Sequence, residues 1–109
     1  MVNQIPDSFS NNCVAKRLKV NGIVQGVGFR PFVFQLAQKY GLKGEVANTS
    51  AGVSIHVEGL AEHVTSFEAD LAAKAPPLAY VVDISSQTGT VKHHPDFAIV
   101  KSQGESEMS

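Results

Sequence analysis

The residues best suited to chemistry lie in one short run, Val24-Gln25-Gly26-Val27-Gly28-Phe29-Arg30. Two glycines separated by one residue let backbone N–H groups turn inward around an anion. Arg30 adds a planar fork of donors that matches paired oxygens of a tetrahedral anion. A helix-like segment begins just beyond and would point its positive N-terminal end at the same spot. The run therefore reads as a phosphate cradle, with Gln25, Gly26, Val27, Gly28, Phe29 and Arg30 as the candidate phosphate-binding residues. It is not a nucleotide loop: it has neither the G-x-x-x-x-G-K-[ST] nor the G-x-G-x-x-G spacing. A plain strand-to-helix turn is the simpler reading of the glycines alone, and Arg30 at the helix start favours the cradle.

Such a loop needs a strand to leave and a helix to enter. Lys16 to Ile23 alternates, with Leu18 and Val20 on one face and Arg17 and Lys19 on the other, as a half-buried strand does. Pro31 to Tyr40 carries the apolar stripe Phe32, Val33, Leu36, Ala37 and Tyr40 of a helix. Pro31 suits its first position and Gly41 its stop. Lys43 to Asn48 reads as a short strand and Asn48-Thr49-Ser50-Ala51-Gly52 as a turn. Val53, Ile55 and Val57 alternate with Ser54, His56 and Glu58 in a third strand. Leu60, Val64, Phe67 and Leu71 give a helix over Ala61 to Ala73, ended by Pro76-Pro77. Leu78 to Ser86 reads as an apolar strand, Gln87 to Pro95 as a loop, and Asp96 to Lys101 as a last strand.

The order predicts an α+β fold, a ferredoxin-like βαββαβ sandwich with two helices on one face of a mainly antiparallel sheet and an extra C-terminal strand. Arg17, Lys19, Ser54, His56 and Glu58 are expected on the open face. The first two strands, joined through a helix, should run parallel by a right-handed crossover and end at the same rim. Asn48 then lies at that rim near the cradle, and by parity points to the helix-covered side. There its amide can hold a water or a substrate oxygen, although asparagine is equally suited to opening the turn.

With 109 residues, 43% hydrophobic and 17% charged, the chain fits one domain with one core. Residues 1–14 read as a flexible arm, 15–102 as the domain and 103–109 as a frayed tail. A formal net charge of −1 argues against a general nucleic-acid binder. No apolar run approaches the roughly 18 residues of a spanning helix, and no leader is evident, so neither membrane nor secretion is expected. Cys13 is the one cysteine and supplies no metal-ligand spacing. A reducing cytoplasm is the default compartment.

Gly22-x-Val24-Gln25-Gly26-Val27-Gly28-Phe29-Arg30, Gly41-Leu42-x-Gly44-x-Val46-x-Asn48, Gly52-Val53 and Gly59 resemble the acylphosphatase family over Lys16 to Ser102. Phe29-Arg30-Pro31-Phe32-Val33 and Pro76-Pro77-Leu78-Ala79 are most similar to its members at the N-terminus of carbamoyltransferases that mature nickel-iron hydrogenase. The resemblance implies Arg30 and Asn48 as catalytic residues. Arg30, with N–H groups from Gln25 to Arg30, would bind the phosphate of an acyl phosphate, and Asn48 would orient the attacking water. It also implies no metal, no cofactor and no covalent enzyme intermediate. The implied partners are a small acyl phosphate or inorganic phosphate, the other domains of a larger carbamoyltransferase, and that enzyme's hydrogenase-maturation partners. Carbamoyl phosphate would be the substrate in that setting.

Other residues have plainer readings. Phe29, Phe32 and Tyr40 read as core or pocket wall, Thr49 and Ser50 as turn formers. His93-His94 read as solvated loop without partner ligands, and His56 and His63 as surface. Leu78 to Val82 reads as a buried strand that would be aggregation-prone if exposed. Three other readings fit the same order of elements: a stand-alone acylphosphatase, a non-catalytic phosphate-binding or docking module of a larger enzyme, and an RNA-recognition module. The last stacks bases on aromatics of its central strands. Ser54, His56 and Glu58 stack bases poorly.

Overall fold

A computed structural model describes residues 13–100. The arm up to Asn12 and the tail from Lys101 lie outside the described residues. Five strands and two helices follow the predicted order: β1 (Cys13–Ile23), α1 (Phe29–Lys39), β2 (Lys43–Thr49), β3 (Gly52–Leu60), α2 (Ala61–Ala73), β4 (Tyr80–Thr88) and β5 (Phe97–Ile99). The sheet order is β4-β1-β3-β2-β5. β3 lies antiparallel between β1 and β2, so those two strands are parallel and finish at one rim. Among the described residues the one parallel pairing is β5 beside β2, with Gly44 opposite Phe97.

The period-2 pattern explains which face is covered. Leu18 and Val20 of β1 register with Ile55 and Val53 of β3, and Val46 of β2 registers with Ile55. All are buried, together with Val33, Leu36 and Ala37 of α1 and Val64, Phe67 and Leu71 of α2. These side chains form one core between the sheet and the two helices. Fully burying a side chain such as Phe67 or Leu71 contributes about 1.5–3 kcal/mol. Tyr40, just past α1, donates its hydroxyl to Asp70 of α2 at 2.6 Å and ties the helices together. No helix among the described residues is long and apolar enough to cross a membrane.

Several boundaries differ from the sequence expectation. β1 begins at Cys13, where Leu60 of β3 is its partner, so this exposed cysteine opens a strand. α1 begins at Phe29, which puts Pro31 third in the helix. First-turn N–H groups lack intrahelical partners, so proline costs no hydrogen bond there. β4 runs Tyr80–Thr88, two residues later than expected, and it is an edge strand. It is therefore not buried: Leu78, Tyr80 and Val82 are 75%, 65% and 67% exposed.

The largest correction concerns the open face. Arg17 and Lys19 are exposed there as expected, but His56 and Glu58 are buried. The segment after β4 must travel from one edge of the sheet to β5 at the other, and it crosses this face. Gly89 donates its N–H to Ala15 O at 2.9 Å, and the N–H groups of Lys92 and His94 donate to the Glu58 carboxylate. Between them His93 sits at φ 61, a left-handed conformation that turns both neighbouring N–H groups onto one anion.

Candidate active site

Alternating side chains anchor the loop from β1 to α1. Val24 and Phe29 are 1% exposed and Val27 packs on the core, while Gln25, Gly26 and Gly28 face outward. Gly26 and Gly28 have φ of 74° and 82°. A Cβ added at either would meet nothing within 4 Å, so glycine is required by backbone conformation and not by space.

The start of α1 lacks the devices that normally complete a helix. Its N-cap is Gly28, with no side-chain cap, and its first turn holds no acidic residue. The second helical position is Arg30, a cation at the positive end of the dipole, where it costs roughly 0.3–1 kcal/mol without an anion. The first helical bond runs from Phe32 N to Gly28 O at 3.2 Å, leaving the Phe29 and Arg30 N–H groups outside the ladder. None of the four ion pairs among the described residues involves Arg30.

Asn48 lies on the helix-covered face of β2, opposite Val53, and is 7% exposed. Its Oδ1 is buried without a hydrogen-bond partner among the described residues. An unpaired buried amide oxygen costs about 1–3 kcal/mol, so this atom calls for a functional explanation. Thr49 Oγ1 accepts from Ala51 N at 3.2 Å and Gly52 N at 3.1 Å, which makes it a turn former.

Gln25 does more than the sequence suggested. Its Nε2 donates to Thr49 O at 2.7 Å and Gly52 O at 2.8 Å, fastening the cradle loop to the β2–β3 turn. Only a fold that brings two loops to one rim could reveal this tether. Arg30 is held by the helix start, Asn48 by the strand end, and Gln25 links the loops that carry them.

Residues 16–99 match the acylphosphatase family model. The chain belongs to the acylphosphatase family. A probable carbamoyltransferase HypF of Methanocaldococcus jannaschii is 47% identical over 89 residues, which are 80% of this chain and 12% of that protein. The acylphosphatase of Thermotoga maritima is 42% identical over 86 residues, 78% of this chain and 94% of that protein. Full-length HypF in its phosphate- and nucleotide-bound form superposes with a TM-score of 0.81 at 44% identity, over 84% of this chain and 12% of that one. The acylphosphatase from Bacillus subtilis gives 0.76 at 37% identity, over 80% and 98%. This acylphosphatase domain thus spans about an eighth of the HypF relatives it matches, and nearly all of the stand-alone acylphosphatases.

Proposed function

We propose that the domain hydrolyses small acyl phosphates at the rim formed by the β1–α1 loop and Asn48, with carbamoyl phosphate as the physiological substrate. The observation that carries this reading is the start of α1: no side-chain cap, no acid, an arginine, and two left-handed glycines leading in. An anion bound there would complete this arrangement and offset the cost of the arginine. The phosphoryl group of the substrate supplies the anion, held by loop N–H groups and the Arg30 guanidinium. Asn48 Oδ1, the buried acceptor without a partner among the described residues, accepts a hydrogen bond from the attacking water and so aims the water oxygen at phosphorus. The new P–O bond forms as the bond to the acyl oxygen breaks. The carboxylate departs with the electron pair, and the water proton passes to phosphate or solvent. Carbamoyl phosphate would yield carbamate and inorganic phosphate. The leaving group is good, so positioning and charge stabilisation supply most of the rate.

Substrate choice draws support from similarity to HypF carbamoyltransferases, of which this sequence would be one cytoplasmic domain handing its product to others. Phosphate release from carbamoyl phosphate and from an aromatic acyl phosphate, with chelator present, tests the reading. Arg30→Ala should lower kcat/KM by about 10²–10³ and abolish phosphate affinity. Asn48→Ala should lower kcat while inorganic phosphate still binds. Wild-type rates from Arg30→Ala would overturn the assignment. Similarity to one region of a larger carbamoyltransferase also supports a second reading, a phosphate-binding docking module. Phosphate binding without turnover of either substrate would select it.

A further inference from the structure

The end of the sheet remote from the cradle gathers a second set of reactive side chains. His56 and Glu58, two residues apart on β3, share a face and are 6% and 3% exposed. The segment that crosses this face lays His94 against them, its ring centroid 5.2 Å from that of His56. One ligand atom from each of His56, Glu58 and His94 lies within 4.8 Å of the other two. Glu58 and His94 also line a cavity of about 480 Å³ together with Cys13, His63 and His93. The chain's single cysteine and all four of its histidines thus meet at one end of one sheet.

We propose that His56, Glu58 and His94 bind a divalent transition-metal ion of the zinc class, with its fourth position open to the cavity. Two imidazoles and one carboxylate form a donor set that suits zinc, and the cavity gives a path of entry and room for a water. The His56 Nε2 to Glu58 Oε2 contact is 2.8 Å. Zinc bonds of about 2.0–2.2 Å at tetrahedral angles need ligand atoms roughly 3.4 Å apart, so a small opening admits the ion. His56 Nδ1 is buried and unpartnered, which leaves Nε2 as the nitrogen turned to the cluster. Glu58 is aimed by the N–H groups of Lys92 and His94, the outer support a metal-ligating carboxylate needs. The proposal stands apart from the hydrolytic reading, since the cradle and this cluster lie at opposite ends of β1.

The test uses the metal-stripped chain without added histidines. Zn²⁺ is titrated by calorimetry and Co²⁺ by visible absorption. One equivalent should bind, with a Co²⁺ spectrum of nitrogen and oxygen ligands and no thiolate charge-transfer band. His94→Ala, and the bulkier His94→Gln should the first lose its fold, should weaken binding by about tenfold or more. His93→Asn, outside the trio, should bind as the parent does. Zn²⁺ should raise the melting temperature of the parent and leave that of His94→Gln unchanged. No saturable uptake at millimolar metal, unaltered affinity in the His94 variants, or a thiolate band implicating Cys13 would each overturn the proposal.

Discussion

At the scale of single residues, the proposed site separates side chains that would meet a ligand from side chains that hold those in place. Gln25 belongs to the second group. Its amide bridges two loops, so Gln25→Ala should cost about 1 kcal/mol of stability and raise KM more than it lowers kcat. Denaturant melts beside steady-state kinetics check the split, and an unchanged KM would contradict it. Glu58 controls the acid limb. Burial alone would raise its pKa, but hydrogen bonds from His56 and from the Lys92 and His94 N–H groups outweigh that and lower it from 4.5 to about 2. Because the folded value is depressed, the stabilisation is present above pH 4.5 and is lost as pH falls toward 2. It is worth on the order of 3 kcal/mol at neutral pH. Glu58→Gln should lower stability at pH 7 and show a shallower decline between those values. Urea melts across the range measure both.

At the scale of elements, the cradle loop depends on conformation more than on packing. Gly28 has room for a side chain, but its left-handed φ penalises one by about 1–2 kcal/mol. Gly28→Val should harm phosphate binding more than global stability, and equal losses in titrations and melts would refute that. The glycine spacing, the arginine and the helical stripe made this loop readable in the sequence, because each is a local signal. Asn48 was readable by parity, since strand alternation fixes its face. What escaped was non-local. Nothing in Gln87 to Pro95 reveals that it crosses the sheet, so His56 and Glu58 looked like ordinary solvent-facing alternates. Likewise the apolar run Leu78 to Val82 has the composition of an inner strand. Its place at the edge follows from the strand order, which composition does not encode.

At the scale of the whole molecule, the sheet of the described residues ends at two margins, β4 and β5. The β4 margin carries Tyr80 and Val82, with Ile23 of the adjacent strand 59% exposed beside them. The first three residues of this edge, Tyr80 to Val82, are apolar and uncharged ahead of Asp83, and such a stretch invites pairing with another chain. Val82→Lys should slow concentration-dependent association while leaving hydrolysis and melting temperature near the parent values. Light scattering with a parallel phosphate-release assay checks both, and unchanged association would place the sticky surface elsewhere.

β5 runs beside β2 in the same direction, with Val100 N bonded to Val46 O at 2.9 Å. The polypeptide therefore quits the sheet on the margin where Asn48 sits, whereas Cys13 enters from the far end. Cargo genetically joined after Val100 would stand at the doorstep of the proposed site and could shade it. The same cargo joined ahead of Cys13 hangs away from it, so the two fusions form a ready pair for asking how crowded that doorway can become.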